Sequence, residues 1–337
     1  MNRGFWDKLK KPIFVLAPMA NVTDAAFRFL IAKYGKPDVT WTEFVSADGL
    51  VSEGLEKLLV DFWYSETERP IVAQIFGAKP ENFYKVAKLI KDLGFDGIDI
   101  NMGCPDRAVL KQGAGGALIK NPKLAQEIIL AAKEGASVLP VSVKTRLGVG
   151  KIDIENWIPE LLKTDIAAIT IHLRTVKELS LVPAHWEIMP QVVELINQLT
   201  TKENRPLILG NGDVLTLTEA EQKISETGAD GVMIGRGIFG NPWMFNKETP
   251  IEKIPVHKRL QAMIEHSKLF EEKFVNLPMG GKRFEVMKKH YKAYVNGFDG
   301  AKELRMKLME TKNAQEVEQI VSEFARSDAM RRTVAVK

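Results

Sequence analysis

Gly97-Ile98-Asp99-Ile100-Asn101-Met102-Gly103-Cys104-Pro105 is the stretch on which the reading of the fold turns. Residues 97–100 make a short β-prone run that passes abruptly into polar and turn residues. The run follows an amphipathic stretch, 80–93, that halts at Leu93-Gly94, where glycine can stop a helix. A helix feeding a short, largely apolar strand is the unit of a parallel sheet covered on both faces.

The unit recurs in both directions. Candidate strands fall at residues 13–17, 39–42, 71–75, 97–100, 141–144, 167–172, 207–209 and 231–234. Helix-like segments at 23–34, 80–93, 122–134, 155–163, 187–199 and 217–227 lie between them. Thr23 and Asn121 stand where helices start, and Gly228 where one ends. This repetition predicts an α/β fold, a (β/α)8 TIM barrel rather than a doubly wound sheet.

After Trp243-Met244-Phe245 the pattern changes. Residues 246–256 hold Pro250 and Pro255, show no period and read as a linker. Beyond them no β-like run occurs. Residues 257–272, 282–296, 301–309 and 314–325 read as helices, with turn signals at Pro278-Met279-Gly280-Gly281 and Gly297-Phe298-Asp299-Gly300. The expected organisation is a TIM-barrel catalytic domain over 1–245, a linker over 246–256, a small all-helical C-terminal domain over 257–327 and a frayed tail over 328–337. No repeat of solenoid period and no low-complexity tract is present.

Composition narrows the class. Of 337 residues, 27% are charged and 45% hydrophobic, which excludes a disordered, collagenous or coiled-coil chain. No apolar run approaches membrane-spanning length, and the basic start, residues 1–12, lacks a signal-peptide core. The single cysteine excludes an internal disulfide and a multi-thiolate metal site, and suits a reducing cytoplasm. The net charge of +4 is unevenly spread. Residues 1–250 carry 29 Lys+Arg against 31 Asp+Glu, whereas residues 251–337 carry 18 against 12. The basic excess therefore lies wholly in the helical segment. It suits a polyanionic partner such as nucleic acid, and a solvated helical face is the plain alternative.

In a barrel of this kind, chemistry belongs to the C-terminal strand ends. Here those ends read Ala17-Pro18-Met19, Gln74, Asn101-Met102-Gly103-Cys104-Pro105, Lys144-Thr145-Arg146, His172-Leu173-Arg174-Thr175, Gly210-Asn211-Gly212-Asp213 and Gly235-Arg236-Gly237. The last two, glycine-rich and with Arg236, point to a phosphate site, tight turns being the alternative. Lys144 and His172 end neighbouring strands, with Arg146 and Arg174 two residues on. Such a cationic mouth requires an anionic ligand. Spacing leaves Lys144 open to two roles, a cofactor contact or a Schiff-base nucleophile. Cys104 is an inert core thiol, a nucleophile or a proton donor. No ligand-spaced cluster accompanies it, so no metal is expected. Gln112-Gly113-Ala114-Gly115-Gly116-Ala117 does not open from a strand and fails as a dinucleotide fingerprint.

Taken in order, these motifs resemble the tRNA-dihydrouridine synthase family of flavoenzymes. The resemblance rests on Ala17-Pro18-Met19-Ala20 with Val22-Thr23-Asp24, Gln74-Ile75-Phe76-Gly77, Asp99-Ile100-Asn101-Met102-Gly103-Cys104-Pro105 and Lys111-Gln112-Gly113-Ala114-Gly115. It continues through Val143-Lys144-Thr145-Arg146, Ile171-His172 with Arg174-Thr175, Gly210-Asn211-Gly212-Asp213 and Gly235-Arg236-Gly237. It implies FMN-dependent reduction of the C5–C6 double bond of uridine in tRNA, with NADPH as reductant. By the same resemblance, Ala17, Pro18, Met19, Gln74, Lys144 and His172 would surround the isoalloxazine. Asn211, Gly212, Asp213, Gly235 and Arg236 would hold the phosphate end. Asn101 and Arg146 would place the uracil, and Cys104 would be the general acid. No membrane and no obligate protein partner is implied. Asn21 and Leu173 depart from the family pattern, which usually has glycine at both positions.

Rival readings remain from the residues themselves. A flavin barrel acting on a free pyrimidine would use the same mouth but leaves the basic helical segment unexplained. A Schiff-base aldolase would use Lys144. A catalytically inactive RNA-binding protein would have no use for Cys104, Lys144 and His172 together.

Overall fold

The computed structural model describes residues 3–275, 277 and 281–335. Eight strands form one parallel sheet: β1 (Ile13–Leu16), β2 (Thr40–Ser46), β3 (Ile71–Phe76), β4 (Gly97–Met102), β5 (Val141–Arg146), β6 (Ala168–His172), β7 (Leu207–Asn211) and β8 (Gly231–Ile234). Their order is β1-β8-β7-β6-β5-β4-β3-β2, and a parallel bridge between Val15 and Val39 joins the two edges. The sheet is thus a closed (β/α)8 barrel, the fold expected.

Each strand is buried nearly end to end, as the two-faced apolar runs require. Helices α1 (Ala25–Tyr34), α2 (Pro80–Asp92), α3 (Pro122–Ala136), α4 (Ile154–Leu162), α5 (Met189–Leu199) and α6 (Leu217–Thr227) lie between strands in the chain. Their ends follow local chemistry. Asn121 accepts the Leu124 N–H and precedes Pro122 in the first turn of α3. Gly228, at φ +73°, closes α6 in the left-handed conformation. The Thr23 Oγ1 accepts the Met19 N–H at 2.9 Å, fixing the Ala17-Pro18-Met19 strand end.

Strand β2 starts and ends later than its apolar run suggests. Its register slips between Trp41 and Phe44, a β-bulge that brings polar Thr42 and Glu43 into the strand. Both are buried and bonded. Thr42 Oγ1 donates to the Glu43 carbonyl and accepts the Gln74 N–H, and Glu43 accepts the Asn21 N–H. Asn21 stands at φ +54°, a left-handed conformation that asparagine tolerates better than most residues. Leu173 is fully buried, so its bulk goes into the core.

An N-terminal 3₁₀ turn, Gly4–Lys8, closes the far end of the barrel. Its Trp6 is 2% exposed and packs beside Trp41 in a core of Val15, Val72, Leu209 and Met233.

By contact the chain divides into two compact units: Pro37–Arg236 with the residues before Ala25, and Gly237 onward with Ala25–Lys36. Helix α1 therefore groups with the C-terminal helices, a division that differs from the cut at 245 expected from chain order. The second unit holds α7 (Val256–Phe270), α8 (Lys288–Tyr294), α9 (Ala301–Leu308) and α10 (Ala314–Ala335). Residues 246–255 contain a single 3₁₀ turn, Ile251–Lys253. Helix α10 continues well past residue 325, because residues 326–335 contain neither glycine nor proline. The backbone expected to fray from 328 is helical through Ala335. Residues 336–337, and Pro278, Met279 and Gly280 of the first turn signal, lie outside the described residues. Among the described residues no helix is long and apolar enough to cross a membrane.

Replacing Trp6 by alanine should lower unfolding stability by about 3–5 kcal/mol through the cavity it opens. Thermal or denaturant unfolding would show it as a reduced midpoint, and an unchanged midpoint would mean that the turn packs only superficially.

Candidate active site

All eight strands run the same way, so their C-terminal ends meet at one mouth. A cavity of about 250 Å³ opens there within the barrel unit. Ala17, Pro18, Met19, Lys144, His172, Asn211, Gly212, Asp213, Gly235 and Arg236 line it, all of them residues picked out from sequence. Arg174, Ser180, Val214 and Met233 complete the wall. Ser180 lay inside the β6–α5 loop with no motif to mark it. Arg174 stood among the strand-end residues, two beyond His172, without an assigned role.

The cations at this mouth are held by carboxylates and carbonyls. Asp213 accepts from Arg174 and Arg236 with its two oxygens, and Oδ2 also accepts the Ala184 N–H at 2.8 Å. Burial alone would raise the Asp213 carboxyl, but the Ala184 N–H and Arg174 outweigh it and hold it below the ordinary range. Arg174 is further fixed by Nε donating to the Val182 carbonyl at 2.6 Å. Asp213 therefore orders the two arginines, and the anion-facing donors are theirs. Gly212, at φ +133°, has no room for a side chain, since an added Cβ would lie 2.7 Å from the Ala184 Cβ. Asn211 donates Nδ2 to the Met233 carbonyl at 2.8 Å, tying β7 to β8 at the cavity wall.

His172 is held neutral. Burial first, and then Lys144, Arg146, Arg174 and Arg236, drive its pKa far below the usual value. Its Nε2 lies 3.2 Å from Arg174 Nη1. Guanidinium nitrogen can only donate, so Nε2 accepts and the ring proton sits on Nδ1. Burial, with Arg146 adding to it, brings the Lys144 ammonium down to about 8, against the pull of Asp99 and Cys104.

Gln74, Asn101, Cys104 and Arg146 stand apart from the cavity-lining set. Gln74 is wholly buried and donates Nε2 to Asp99 Oδ2 at 2.6 Å, while its Oε1 accepts from Asn101. Asn101 Oδ1 accepts the Gly103 and Cys104 N–H groups at 3.2 and 2.9 Å. Arg146 donates Nε to the Gly103 carbonyl at 2.8 Å and Nη1 to the Thr175 and Leu179 carbonyls at 2.9 and 3.0 Å. It ties the Cys104 loop to the loop after β6. Cys104 is partly buried, and burial raises its thiol pKa despite backbone and cationic help, so it is protonated at neutral pH.

The dihydrouridine synthase (Dus) family model matches residues 15–330. The chain belongs to the dihydrouridine synthase family. It is 41% identical over 329 residues to a Bacillus subtilis (strain 168) protein named probable tRNA-dihydrouridine synthase 2, covering 97% of this chain and 98% of that one. A Staphylococcus epidermidis (strain RP62A) protein named probable tRNA-dihydrouridine synthase is 40% identical over 333 residues, covering 98% and 99% respectively. The solved old yellow enzyme from Trypanosoma cruzi shares the fold, with a TM-score of 0.51 at 11% identity over 79% of this chain and 94% of that chain.

For this family member, the donor set suits a flavin with a phosphate tail. Pro18, Met19, Val214 and Met233 offer apolar wall, and Lys144, Arg174 and Arg236 offer positive charge. Among the described residues no cluster of three or more His, Cys, Asp or Glu could hold a metal.

The histidines give a direct check on the electrostatics. His185, paired with Glu178 and Glu187, should titrate above the ordinary value, because Glu178 first of all favours its charged form. His172 should stay neutral from pH 5 to pH 8, since its lowered pKa lies beneath that window. Imidazole NMR signals followed across the range will test this, and a His172 midpoint near 6.5 would refute the cation crowding.

Proposed function

We propose that the protein is a tRNA-dihydrouridine synthase that reduces the C5–C6 double bond of uridine in tRNA, with FMN as its flavin and NADPH as reductant. Membership of the dihydrouridine synthase family carries the reaction class. The observation that carries the chemistry is a sole thiol, kept protonated by burial, on the loop beside a cationic cavity at the same barrel mouth.

Reduced flavin, when bound, supplies the hydride that uracil C6 requires. The chain's own residues do the rest. Ala17, Pro18 and Met19 give the tricyclic ring an apolar face. Lys144 would hold the flavin through its positive charge, and neutral His172 would offer it an Nδ1–H without adding to the repulsion. Arg174 and Arg236, ordered by Asp213, take the phosphate together with the N–H groups of the Gly212 and Gly235 turns. Cys104 gives its Sγ proton to uracil C5 as a general acid. Asn101 and Arg146 hold the Cys104 loop and frame the place of the uracil.

A stacked uridine must leave the RNA to reach this depth, at a cost of a few kcal/mol. Phosphate contacts from the basic helical segment offset that cost. On α8, Lys289 and Lys292 are exposed while His290, Tyr291 and Tyr294 are buried, so the helix turns a basic face outward. This division of labour favours tRNA over a free pyrimidine, and it suits a cytoplasmic enzyme.

The purified protein should be yellow and release flavin on acid treatment. Cys104→Ala should cut uridine reduction by about 10²–10⁴-fold with flavin content retained. Undiminished turnover would remove Cys104 as the acid, and a colourless protein that traps a carbonyl substrate with borohydride would favour the aldolase reading. Truncating the C-terminal segment is a poor test of RNA binding, because it would strip α1 of its partners within the second unit. Lys289→Glu with Lys292→Glu is cleaner. It should weaken tRNA affinity and reduce the salt slope of binding by about one per lysine. Filter binding over a salt series reads both quantities, and an unchanged slope would place the RNA elsewhere.

A further inference from the structure

Asp99 is a fully buried carboxylate outside the cavity lining, and it begins a chain of hydrogen bonds that ends at Cys104. Gln74, Asp99 and Ser142 stand in register across β3, β4 and β5, and Asn101 pairs with Lys144 two residues further along. Asp99 Oδ1 accepts from Ser142 Oγ at 2.6 Å, and Oδ2 accepts from Gln74 Nε2 at 2.6 Å. Gln74 Oε1 accepts from Asn101 Nδ2 at 3.1 Å, and Asn101 Oδ1 accepts the Cys104 N–H at 2.9 Å.

The polarity of this chain is set at its two ends, by a carboxylate that accepts from Gln74 and by the Gly103 and Cys104 N–H groups that donate to Asn101. A carboxamide has a donor end and an acceptor end and can be turned over, whereas an ionised carboxylate accepts at both oxygens. Asp99 can receive Gln74 only by its nitrogen. Gln74 must then show its oxygen to Asn101, and Asn101 must show its oxygen to the Cys104 N–H. With either amide reversed, two donors would face each other in a dry interior, where an unmet donor is costly.

We infer that Asp99 is a positioning residue: through Gln74 and Asn101 it fixes the backbone of Cys104 and so aims the thiol at the substrate. The inference rests on the proton-donor role proposed for Cys104. Asp99 also sets a negative charge near Lys144, opposing the loss of that lysine's proton. Burial lifts the Asp99 carboxyl to about 6, opposed by Ser142, Gln74 and Lys144, so it is ionised and the chain correctly polarised at neutral pH.

Asp99→Leu removes the acceptor that anchors Gln74 while filling the barrel interior. Because Cys104 is the sole cysteine, iodoacetamide labelling of the purified protein reads its environment without any assay of turnover. Asp99→Leu should accelerate labelling by about ten-fold and lower kcat by about ten-fold or more, with KM for tRNA within about two-fold, as expected for a misplaced reacting group. Asp99→Asn keeps one acceptor and should fall between it and the parent. Adding Gln74→Leu to Asp99→Leu should cost nothing further, because both substitutions break one chain. Parental labelling and kcat in a folded Asp99→Leu protein, or losses that add in the double variant, would overturn the inference. If Asp99→Leu does not fold, Asp99→Asn decides by the same readings, and parental values there refute it. A parent protein inactive on tRNA would instead refute the proposed function, while the labelling result would still judge the hydrogen-bond chain.

Discussion

Like charges crowded into one barrel mouth constrain everything else about this structure. Lys144, Arg146, Arg174 and Arg236 converge there, and each lowers the pKa of His172. Unrelieved, a pair of such charges about 4 Å apart repels by about 4 kcal/mol at a near-surface dielectric. The fold disperses the repulsion in three ways. Asp213 takes two arginines on its two oxygens. Arg146 turns away from the cavity onto backbone carbonyls. His172 gives up its charge altogether. Three carboxylates, Asp99, Glu178 and Asp213, still face four cations, so the mouth retains a positive excess that a bound anion would complete.

The same demand explains the loop geometry. A guanidinium orders an anion only if it is itself held, and Arg174 is held at Nε, Nη1 and Nη2 by Val182, His172 and Asp213. Those bonds require the chain after β6 to fold back over the mouth, which His185 secures by donating its backbone N–H to the Leu173 carbonyl at 2.7 Å. Trp186 follows, its indole N–H on the Gly212 carbonyl at 2.8 Å and its ring against Gly210. An added Cβ at Gly210 would meet that ring at 2.5 Å. Glycine at 210 thus serves packing alone, whereas glycine at 212 serves packing and a positive φ together, and the two are indistinguishable in the sequence.

What could be read in advance follows from what is local. Strand position, helix ends and the gathering of special residues at strand ends all depend on neighbours a few residues apart, and those features hold. Strand β2 is only half visible, because a bulge carrying Thr42 and Glu43 interrupts the apolar run that marks the other strands. Side-chain partners distant in sequence were not legible. Asp213 reads as an anion-site residue from its glycine-rich turn, yet its carboxylate braces arginines 39 and 23 residues away. The resemblance implies ligand contacts for Gln74 and Arg146, and nothing in the sequence signals that the one also joins Asp99 to Asn101 and the other braces two loops.

Chain order also conceals which helix belongs with which. Helix α1 follows β1 and has the amphipathic look of any barrel helix, but its Phe27 stacks on His266 of α7 with ring centroids 4.7 Å apart. His290 of α8 packs edge-on to both rings. Burial lowers the pKa of each imidazole, and none of their ring nitrogens has a hydrogen-bond partner among the described residues. Both rings act here as flat apolar fillers, a use that their spacing in the sequence could not reveal. The lysines of α8 can face outward because His290, Tyr291 and Tyr294 face inward on α1 and α7. The basic surface of the second unit therefore depends on an apolar seam whose first strip, α1, is supplied from between the first two strands of the barrel.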